Sequence, residues 1–393
     1  MIATLSILLT QKVGLYFLGG YPGHIQALMN LTKTHFVVII TFVASIISPC
    51  KVTITYDTET LPKSNSFKVD SSGHLHSQLS PNSVMISNHQ IYTDWLFLWF
   101  ITYTSRLSDS VHIVLKDMSN IPVLGAGMKN FNFLFLSRKW ENDKVILTNQ
   151  LLSLDADARG LGPANGVKHI ASANISDSEV NRWPEGENPN KIWPYTIILY
   201  PEGTVPAIRT TGVSKRYIQK KNLPPLNHVL LPRVRGLFLS LRKLRNTVQV
   251  VYDITTGYSN LTEDQYGEDV FTLKRFFLLG IGPSNIHYHL KGWNIADIPL
   301  GEETIDIDDA KPEDLQKFEE WLIKIWYEKD ALMDEFYKNG KFPTQEAVSP
   351  RFRSVTADFK LGNNLEIIPP FITAFTCLLL LRLMWLFIRK FVL

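Results

Sequence analysis

Between residues of about 80 and 300, short apolar runs alternate with longer helix-like stretches. The short runs are rich in β-branched and aromatic residues, as strands are. They are VMIS (84–87), VHIVL (111–115), FNFLFLS (131–137), YTIILY (195–200), HVLLP (228–232), VQVVYDIT (248–255) and NIHYHL (285–290). The stretches from Asp94 to Arg106 and from Asn142 to Leu154 are helical in pattern. This alternation predicts an α/β fold in which a mixed β-sheet is flanked by helices.

Longer apolar stretches lie near both ends of the chain. The run FVVIITFVASII (36–47) is short for a bilayer crossing of about 20 residues, so we interpret residues 1–50 as membrane-associated segments, whether interfacial, re-entrant or spanning. The stretch 371–388 carries one charge, at Arg382, and residues 366–393 are therefore predicted to form a C-terminal transmembrane anchor. Together these stretches predict an integral membrane protein that is anchored at both ends.

Three segments interrupt or follow the alternation. Residues 51–82 are polar and rich in serine and histidine, which favours a loop. Residues 155–191 are rich in asparagine, glycine and proline, and we expect a mobile or disordered insertion within a domain that spans residues 83–300. In the region 301–365, apolar residues recur at helical spacing from Lys311 to Asn339, which predicts one long amphipathic helix packed on the domain.

Composition narrows the class of function. A formal net charge of +3 in 393 residues is too small to indicate a nucleic-acid partner. Two cysteines provide neither a disulfide framework nor a cysteine-based zinc site. The pairs His74/His76 and His287/His289 lack a third ligand at a suitable spacing, so we expect no metal.

A polar interruption, SNHQIYTDW, separates the run VMIS from the helical stretch that begins at Asp94. Histidine is the usual general base near neutral pH, and a carboxylate can fix its tautomer. On one continuous helix His89 and Asp94 would lie roughly 140° apart. They can meet only if His89 lies in the turn after the strand and Asp94 lies in the first turn of the helix. The alternative is that Asn88 or Asp94 merely caps the helix and His89 is a surface residue.

The segment YPEGTVP (200–206) directly follows another strand-like run. After Glu202, Gly203 allows the close approach of another group, and Thr204 offers a hydroxyl and an N–H to an anion. In the alternative interpretation these residues form an ordinary turn. A second Pro-Glu-Gly triplet, in WPEGEN (183–188), lies in the polar insertion with no strand before it, and we assign it no function.

Two basic residues follow predicted strands. Lys116 comes after VHIVL, and Arg138 comes after FNFLFLS. Cations at the ends of neighbouring strands suit a phosphate group, which arginine can bind through two hydrogen bonds. Lone surface cations are common, so each of these residues is a weak signal by itself.

Taken in order, these motifs resemble the glycerolipid acyltransferase family with the His-x-x-x-x-Asp signature (PlsC-like enzymes). The matching blocks are SNHQIYTDW, VLKDMSNIPVLGAGM, FLFLSRKWENDK, LYPEGTVP and HVLLPRVRGL. The resemblance implies a PlsC-like acyltransferase fold with His89 and Asp94 as its catalytic pair. It implies that the substrate and its phosphate are bound by Lys116, Arg138, Glu202, Gly203 and Thr204.

The resemblance also implies a reaction, its partners and a compartment. An acyl group would pass from acyl-CoA to a free hydroxyl of a lysophospholipid at the lipid bilayer. Acyl-CoA is then a co-substrate, and neither a cofactor nor a metal is required. The implied compartment is the endoplasmic reticulum membrane, with the lipid droplet as a second one.

The blocks RKWENDK, VYDITTGY and WLIKIWYEKDALMDEFYKNGKFP are similar to the lysocardiolipin and lysophosphatidylinositol acyltransferase branch. Size and layout are most similar to its fungal members, which incorporate stearoyl chains into phosphatidylinositol. We therefore expect lysophosphatidylinositol as acceptor, with lysophosphatidic acid or lysocardiolipin as alternatives.

One residue departs from the family pattern. Many members have arginine directly after Glu-Gly-Thr, where this chain has Val205. If that arginine binds the substrate phosphate, then Arg138, Lys116 or another residue must do so here, and Arg209 lies nearby in the sequence. Val205 is also the one motif feature that favours an alternative of another class, a catalytically inactive membrane scaffold.

Overall fold

The computed structural model describes residues 2–116, 124–137, 139–170, 180–302, 310–344 and 351–391. Arg138, a candidate phosphate-binding residue, lies outside the described residues. The strands are β1 (Lys51–Asp57), β2 (Ser66–Val69), β3 (Leu75–Gln78), β4 (Asn82–Ser87), β5 (Val111–Lys116), β6 (Leu134–Leu136), β7 (Tyr195–Leu199), β8 (Val250–Tyr258), β9 (Asn285–Trp293) and β10 (Phe352–Asp358). The helices are α1 (Ile2–Leu18), α2 (Pro22–Ile47), α3 (Asp94–Thr104), α4 (Leu124–Asn130), α5 (Trp140–Ala158), α6 (Ile208–Lys220), α7 (Val234–Leu244), α8 (Gly267–Val270), α9 (Leu273–Leu279), α10 (Pro312–Asn339) and α11 (Ile372–Phe391).

A mixed sheet with the strand order β10-β1-β9-β8-β4-β7-β5-β6 runs through the described part of the chain. Strands β8, β4, β7, β5 and β6 pair in parallel, as do β1 and β9. The pairs β8–β9 and β1–β10 are antiparallel. Every residue of β7 and β8 is buried, as expected for strands that are covered on both faces. The predicted α/β class with a mixed sheet flanked by helices is confirmed.

Alternate residues of the strands face two apolar layers. In β4, Met85 contributes to one layer, and Val84 and Ile86 contribute to the other. Helices α2 and α3 cover the first face, and α5, α7 and α10 cover the second. The predicted amphipathic helix is α10, whose stripe from Phe318 to Phe336 is buried against the second face. This burial holds the sheet edge and its loops in fixed positions.

The run HVLLP, which we predicted as a strand, does not join the sheet. The backbone N–H groups of Asn227, His228 and Val229 donate instead to the carboxylate of Asp330 on α10. Pro232, at the end of the run, has no N–H to give to a neighbouring strand. The segment is therefore an extended connection that is tied to α10 and leads into α7.

Two of the predicted segments contain strands that the sequence pattern did not predict. Residues 51–82 are not a loop throughout, because β1 joins the central sheet and β2 pairs with β3 in a separate hairpin. Residues 301–365 contain more than a helix, since β10 pairs along β1 at the edge of the sheet. Neither strand has a continuous apolar run, because β10 is the solvated edge strand and its neighbour β1 also contains exposed and half-buried polar residues.

The helices near the two ends of the chain lie together. Pro22–Ile47 and the segment Asn364–Lys390 are each long and apolar enough to cross a membrane. Helix α1 packs against α2 and α11, and the hydroxyl of Ser6 donates to the carbonyl of Pro370. Gln11, which interrupts the first apolar stretch, is buried and bonds to Thr32 of α2 and to Asn130 of α4.

In the described parts of the predicted insertion 155–191, the N–H of Asn181 donates to Asn149 and the hydroxyl of Thr247 donates to Asp155, so both parts contact the rest of the domain. Arg159 pairs with Asp155 and donates to the carbonyls of Pro184 and Gly186. Oδ1 of Asp157 accepts from the N–H of Ala164. Asp155 and Asp157 lie in the last turns of α5, so the insertion begins as a continuation of a helix.

Candidate active site

The carboxyl ends of β4, β7 and β8 lie side by side at one edge of the sheet. Ile86 of β4 pairs with Leu199 of β7, and β8 runs parallel to β4 on its other side. His89 follows β4, Glu202 follows β7, and Tyr258 ends β8. Parallel strands deliver their following loops to the same edge, where α/β proteins commonly bind ligands. Three polar residues that are far apart in the sequence therefore meet here.

His89 and Asp94 are in direct contact across the turn between β4 and α3. Nδ1 of His89 lies 2.8 Å from Oδ2 of Asp94. Helix α3 begins at Asp94, so the carboxylate belongs to the first helical turn and the histidine to the preceding turn. The structure thus meets the geometric condition that the spacing of the two residues imposes.

Asp94 is buried and surrounded by hydrogen-bond donors. Its Oδ2 accepts from the N–H of Gln90 at 2.6 Å and of Ile91 at 3.2 Å, and its Oδ1 accepts from the hydroxyl of Tyr258. A buried carboxylate is retained when donors compensate its lost hydration. Because a carboxylate only accepts, Nδ1 of His89 carries the proton, and Nε2 is left with its lone pair.

The imidazole of His89 is held on one face by Tyr200. The two rings stack with centroids 4.3 Å apart and an interplanar angle of 22°. The His89 side chain is 17% exposed, whereas that of Asp94 is 2% exposed. The ring is therefore fixed by two contacts and still accessible to a substrate hydroxyl.

Asn88 joins the turn to β8 rather than capping α3. Its Nδ2 donates to the carbonyl of Thr256 at 3.0 Å, and its Oδ1 accepts from the N–H of the same residue at 2.7 Å. This pair of bonds continues the pairing between the two strands beyond the end of β4. It fixes the backbone immediately before His89.

Glu202 lies beneath the same turn and is fully surrounded by protein. Its Oε1 accepts from Nε1 of Trp326 at 3.2 Å, and the backbone N–H groups of His89 and Leu230 face its carboxyl group. Burial raises the pKa of Glu202 well above its usual range, and these donors oppose the shift. Glu202 thus positions the backbone of His89 and does not reach into the solvent-accessible part of the site.

A buried ion pair supports this arrangement from α10. Lys329 is paired with Asp253 of β8 and donates to the carbonyl of Ile254 at 2.6 Å. Its ammonium also lies 5.4 Å from the ring centroid of Trp326. Burial lowers the pKa of Lys329, and Asp253 opposes that shift. Helix α10 is therefore locked to β8 next to the residue that bonds to Glu202.

Gly203 lies against the side chain of Arg233. Its φ of +71° is in the left-handed region, which glycine adopts without strain. A β-carbon at this position would lie 3.1 Å from Nε and 3.2 Å from Cζ of Arg233, so glycine makes room for the guanidinium. The half-buried Thr204 follows. The side chain of Val205 is buried, with 2% exposure.

Lys116 is the last residue of β5 and is exposed. Since β5 runs parallel to β7, Lys116 reaches the edge of the sheet that carries His89 and Glu202. The structure therefore brings His89, Asp94 and Glu202 together, with Gly203 adjacent, and puts Lys116 on the same side of the sheet. Arg138 lies outside the described residues, so its placement stays a prediction.

Sequence reasoning missed three residues that contact the predicted ones. These are Tyr258, Trp326 and Arg233. Tyr258 and Trp326 lie within apolar patterns, where an aromatic residue is indistinguishable from ordinary core. Arg233 lies in the block HVLLPRVRGL, whose place in the motif order was the available signal.

The two histidine pairs outside this site, His74/His76 and His287/His289, contact groups of the fold. His74 and His76 both contact the carboxylate of Asp70 in the β2–β3 hairpin. Burial lowers the pKa of His287 and of His289 to about 4, so both are neutral in β9. In the described ranges of the chain, no group of three or more histidine, cysteine, aspartate or glutamate residues is placed to hold a metal ion.

Comparison with known proteins gives one consistent family. The profile described as acyltransferase matches residues 56–244, and the profile described as acyltransferase C-terminus matches residues 277–359. A 2-acyl-1-lysophosphatidylinositol acyltransferase of Saccharomyces cerevisiae is 41% identical over 86% of this chain and 81% of its own length. An uncharacterised acyltransferase of Schizosaccharomyces pombe is 31% identical over 88% of this chain and 83% of its own.

More distant relatives are named for a different substrate, 1-acyl-sn-glycerol-3-phosphate. The human 1-acyl-sn-glycerol-3-phosphate acyltransferase delta is 27% identical over 69% of this chain and 57% of its own length. No solved structure matches the chain. The matched residues include β4 with its following turn, the turn after β7 and the α10–β10 region, whereas β8 with Tyr258 lies between the two matched ranges.

Proposed function

The chain belongs to the acyltransferase family, and from this premise we propose that it is a lysophosphatidylinositol acyltransferase that uses acyl-CoA as donor. The observation that carries the proposal is the contact between His89 and the buried Asp94 at the carboxyl edge of the sheet. The yeast relative supports the acceptor, since its name specifies a lysophosphatidylinositol whose free hydroxyl is at the sn-1 position.

In the proposed reaction, His89 acts as general base. Its Nε2 takes the proton from the acceptor hydroxyl while the hydroxyl oxygen attacks the thioester carbonyl of acyl-CoA. Asp94 holds Nδ1 and stabilises the imidazolium that forms. The new ester C–O bond forms, the C–S bond breaks, and CoA leaves as a thiolate that takes up the proton. A thiol with a pKa of about 8.5 is a good leaving group, so strong acid assistance is unnecessary.

The arrangement of the helices supports a membrane setting for this chemistry. Phe36 of α2 stacks with Trp95 at a centroid separation of 6.5 Å, and Trp95 directly follows Asp94. Helix α2, a candidate span, therefore packs against the start of the helix that carries the catalytic carboxylate. A lysolipid and a long acyl chain both partition into a bilayer, and this contact would keep the site close to them. We propose the endoplasmic reticulum membrane as the compartment.

The catalytic pair is tested by His89→Ala and Asp94→Ala in purified membranes that are given labelled acyl-CoA and lysophosphatidylinositol. We expect each variant to lose about 10²- to 10⁴-fold in kcat, the usual contribution of a positioned general base. Undiminished transfer by either variant would contradict the assignment of the pair. Binding of acyl-CoA should persist in both variants, since neither side chain is needed to hold the donor.

The chain contains its own control for the turn after β7. Glu202→Ala removes the acceptor that faces the N–H of His89 and should abolish most of the activity. Glu185 occurs in the second Pro-Glu-Gly triplet, is exposed and lies in the insertion, so Glu185→Ala should leave activity intact. Equal effects of the two changes would contradict the role given to Glu202.

A second acceptor deserves a direct comparison because the more distant relatives are named as acting on 1-acyl-sn-glycerol-3-phosphate. Initial rates with lysophosphatidylinositol, lysophosphatidate and lysocardiolipin at equal surface concentration would separate the candidates. We expect the highest kcat/KM with lysophosphatidylinositol. A higher value with lysophosphatidate would transfer the assignment to that substrate, and no transfer to any acceptor would favour an inactive scaffold.

A further inference from the structure

We infer that Arg233 binds the phosphodiester of the lysophospholipid acceptor. It would take the place of the arginine that many family members have at the position of Val205. The inference rests on the proposed function, because it names the substrate contact of the same site. Position 205 cannot provide that contact here, since its side chain is buried at 2% exposure. Arg233 comes from a different segment, the extended connection before α7, and presents its guanidinium at the same turn.

Backbone contacts fix Arg233 beside the catalytic turn. Its N–H donates to the carbonyl of Pro201 at 2.7 Å, which ties it to the segment after β7. Its guanidinium lies over Gly203, close to where a β-carbon would be. Glu202, between these two residues, faces the N–H of His89. The chain of contacts from Arg233 to His89 thus passes through one short turn.

The guanidinium of Arg233 is available for a ligand. The side chain is exposed, and within the described ranges it forms no ion pair or side-chain hydrogen bond. Three other arginines of the chain are occupied, since Arg159 pairs with Asp155, Arg351 pairs with Asp57, and Arg235 lies over the ring of Trp140. An unpaired cation held against a backbone turn is suited to an anion that arrives with the substrate.

The charge and geometry of the acceptor phosphodiester are complementary to those of a single guanidinium group. A phosphodiester carries one negative charge and two free oxygens, which the planar fork of arginine can bind through two parallel hydrogen bonds. In a lysophospholipid this group belongs to the same glycerol unit as the reacting hydroxyl. The phosphates of CoA, in contrast, lie at the far end of the pantetheine arm from the thioester. A cation that is linked to His89 through one short turn therefore fits the acceptor phosphate better than the phosphates of CoA.

The test is a steady-state comparison of the wild type with Arg233→Ala, using lysophosphatidylinositol in mixed micelles and stearoyl-CoA. We expect kcat/KM for the lysolipid to fall about 10- to 100-fold, which corresponds to loss of a charge-assisted hydrogen bond. The KM for stearoyl-CoA should stay within about twofold of wild type, because only the acceptor contact is removed. Arg233→Lys should recover part of the loss, since it keeps the charge and loses the fork.

Matched variants separate the possible outcomes. Arg216→Ala removes an exposed arginine whose Nε donates to the carbonyl of Gly212 in the same helix, α6, and it should behave as wild type. An unchanged kcat/KM for lysophosphatidylinositol in Arg233→Ala would overturn the inference. A raised KM for stearoyl-CoA, or a lysolipid-selective loss in Arg209→Ala and not in Arg233→Ala, would overturn it as well. If Arg233→Ala fails to fold, Arg233→Gln against Arg233→Lys gives the same comparison with the side-chain stem retained.

The proposed function is judged by separate arms of the experiment. If wild type transfers no acyl group to lysophosphatidylinositol, the proposed function fails. If wild type is active and His89→Ala is not, while the Arg233 variants show no acceptor-selective effect, only the present inference fails.

Discussion

Tyr258 and His89 bond to different oxygens of the same carboxylate. Tyr258 donates to Oδ1 of Asp94 from the end of β8, while His89 contacts Oδ2. The tyrosine hydroxyl therefore helps to orient the carboxylate without touching the position where a substrate would bind. It is a positioning residue, and its contribution can be measured by removing one oxygen atom.

Tyr258→Phe should lower kcat about tenfold and leave KM for both substrates nearly unchanged. A drop of this size corresponds to about 1.4 kcal/mol, within the range of a hydrogen bond to a charged group. Tyr252→Phe is the matched control on the same strand, because its hydroxyl is buried and bonds to Ser80 and Asn65 away from the site. That change should lower stability and spare kcat. The same loss of kcat in both variants would show that the effect arises from the strand and not from Asp94.

Three neighbouring residues of α10 each hold a different part of the site. Trp326 donates to Glu202, Lys329 pairs with Asp253 of β8, and Asp330 accepts from the backbone before α7. The spacing of these residues along the helix puts them near one another, while the apolar stripe of the helix packs on the sheet. At the scale of elements, α10 therefore links β8, the Glu202 turn and the segment that carries Arg233. Its contribution is structural, since these side chains are buried.

The end of α5 gives a pH-dependent test of how the insertion is attached. Burial raises the pKa of Asp157 to about 7, and its bond from the N–H of Ala164 partly opposes the shift. An unfolded aspartate has a pKa of about 3.9. Between these values the folded chain holds a proton that the unfolded chain has released, so stability falls as pH rises from about 4 to 7. Above about pH 7 the carboxylate is ionised in both states, and the folded protein bears the full free-energy cost of the buried charge.

Asp157→Asn should therefore stabilise the protein at pH 8, by about 1–3 kcal/mol after allowance for partial solvent screening. The amide keeps an oxygen for the N–H of Ala164 and does not ionise. The advantage over wild type should shrink toward pH 4, as measured by thermal unfolding in detergent at several pH values. Asp155→Asn is the control: Asp155 is paired with Arg159, so its replacement should destabilise. A pH-independent difference between Asp157→Asn and wild type would contradict the assignment.

The anchoring helices meet on one side of the whole molecule. Helix α1 contacts α2 and α11, and α2 also packs on α3, which begins at Asp94 after the turn that carries His89. The two candidate spans differ in how the protein covers them, however. Part of α2 is buried in the domain, with Val37 and Ala44 inaccessible, whereas α11 exposes its leucines along its length. We therefore expect α2 to be required for folding and α11 to be required mainly for membrane attachment.

A chain that ends at Phe371 should keep its fold and be retained less firmly by the membrane, since α2 remains as a candidate span. In alkaline carbonate extraction, a larger fraction of the truncated chain should be released than of the full chain, while its protease-resistant domain should remain. Replacing α11 by an unrelated apolar helix of similar length should restore retention. Val37→Asp, which buries a charge in α2, should instead remove the protease-resistant domain. Loss of that domain on truncation would show that α11 belongs to the folded core.

The sequence alone determined much of the architecture and the centre of the site. Runs buried on both faces, such as β4, β7 and β8, have continuous apolar patterns, so their positions could be predicted. The same holds for α10, whose stripe repeats at helical spacing. The pairing of His89 with Asp94 could also be predicted, because the two residues are close in the chain and only one local geometry brings them together.

The features that depend on contacts between residues far apart in the sequence became visible only in the tertiary structure. The edge strand β10 and its neighbour β1 are partly solvated and have no distinctive pattern, so their pairing became visible only in the fold. HVLLP has the composition of a strand, but Asp330 takes its backbone N–H groups. Arg233 lies about 30 residues from Gly203 in the chain, and the backbone bond to Pro201 brings it to the turn. Local periodicity reports which face of an element is buried, whereas partners distant in sequence are chosen by the packing of the whole chain.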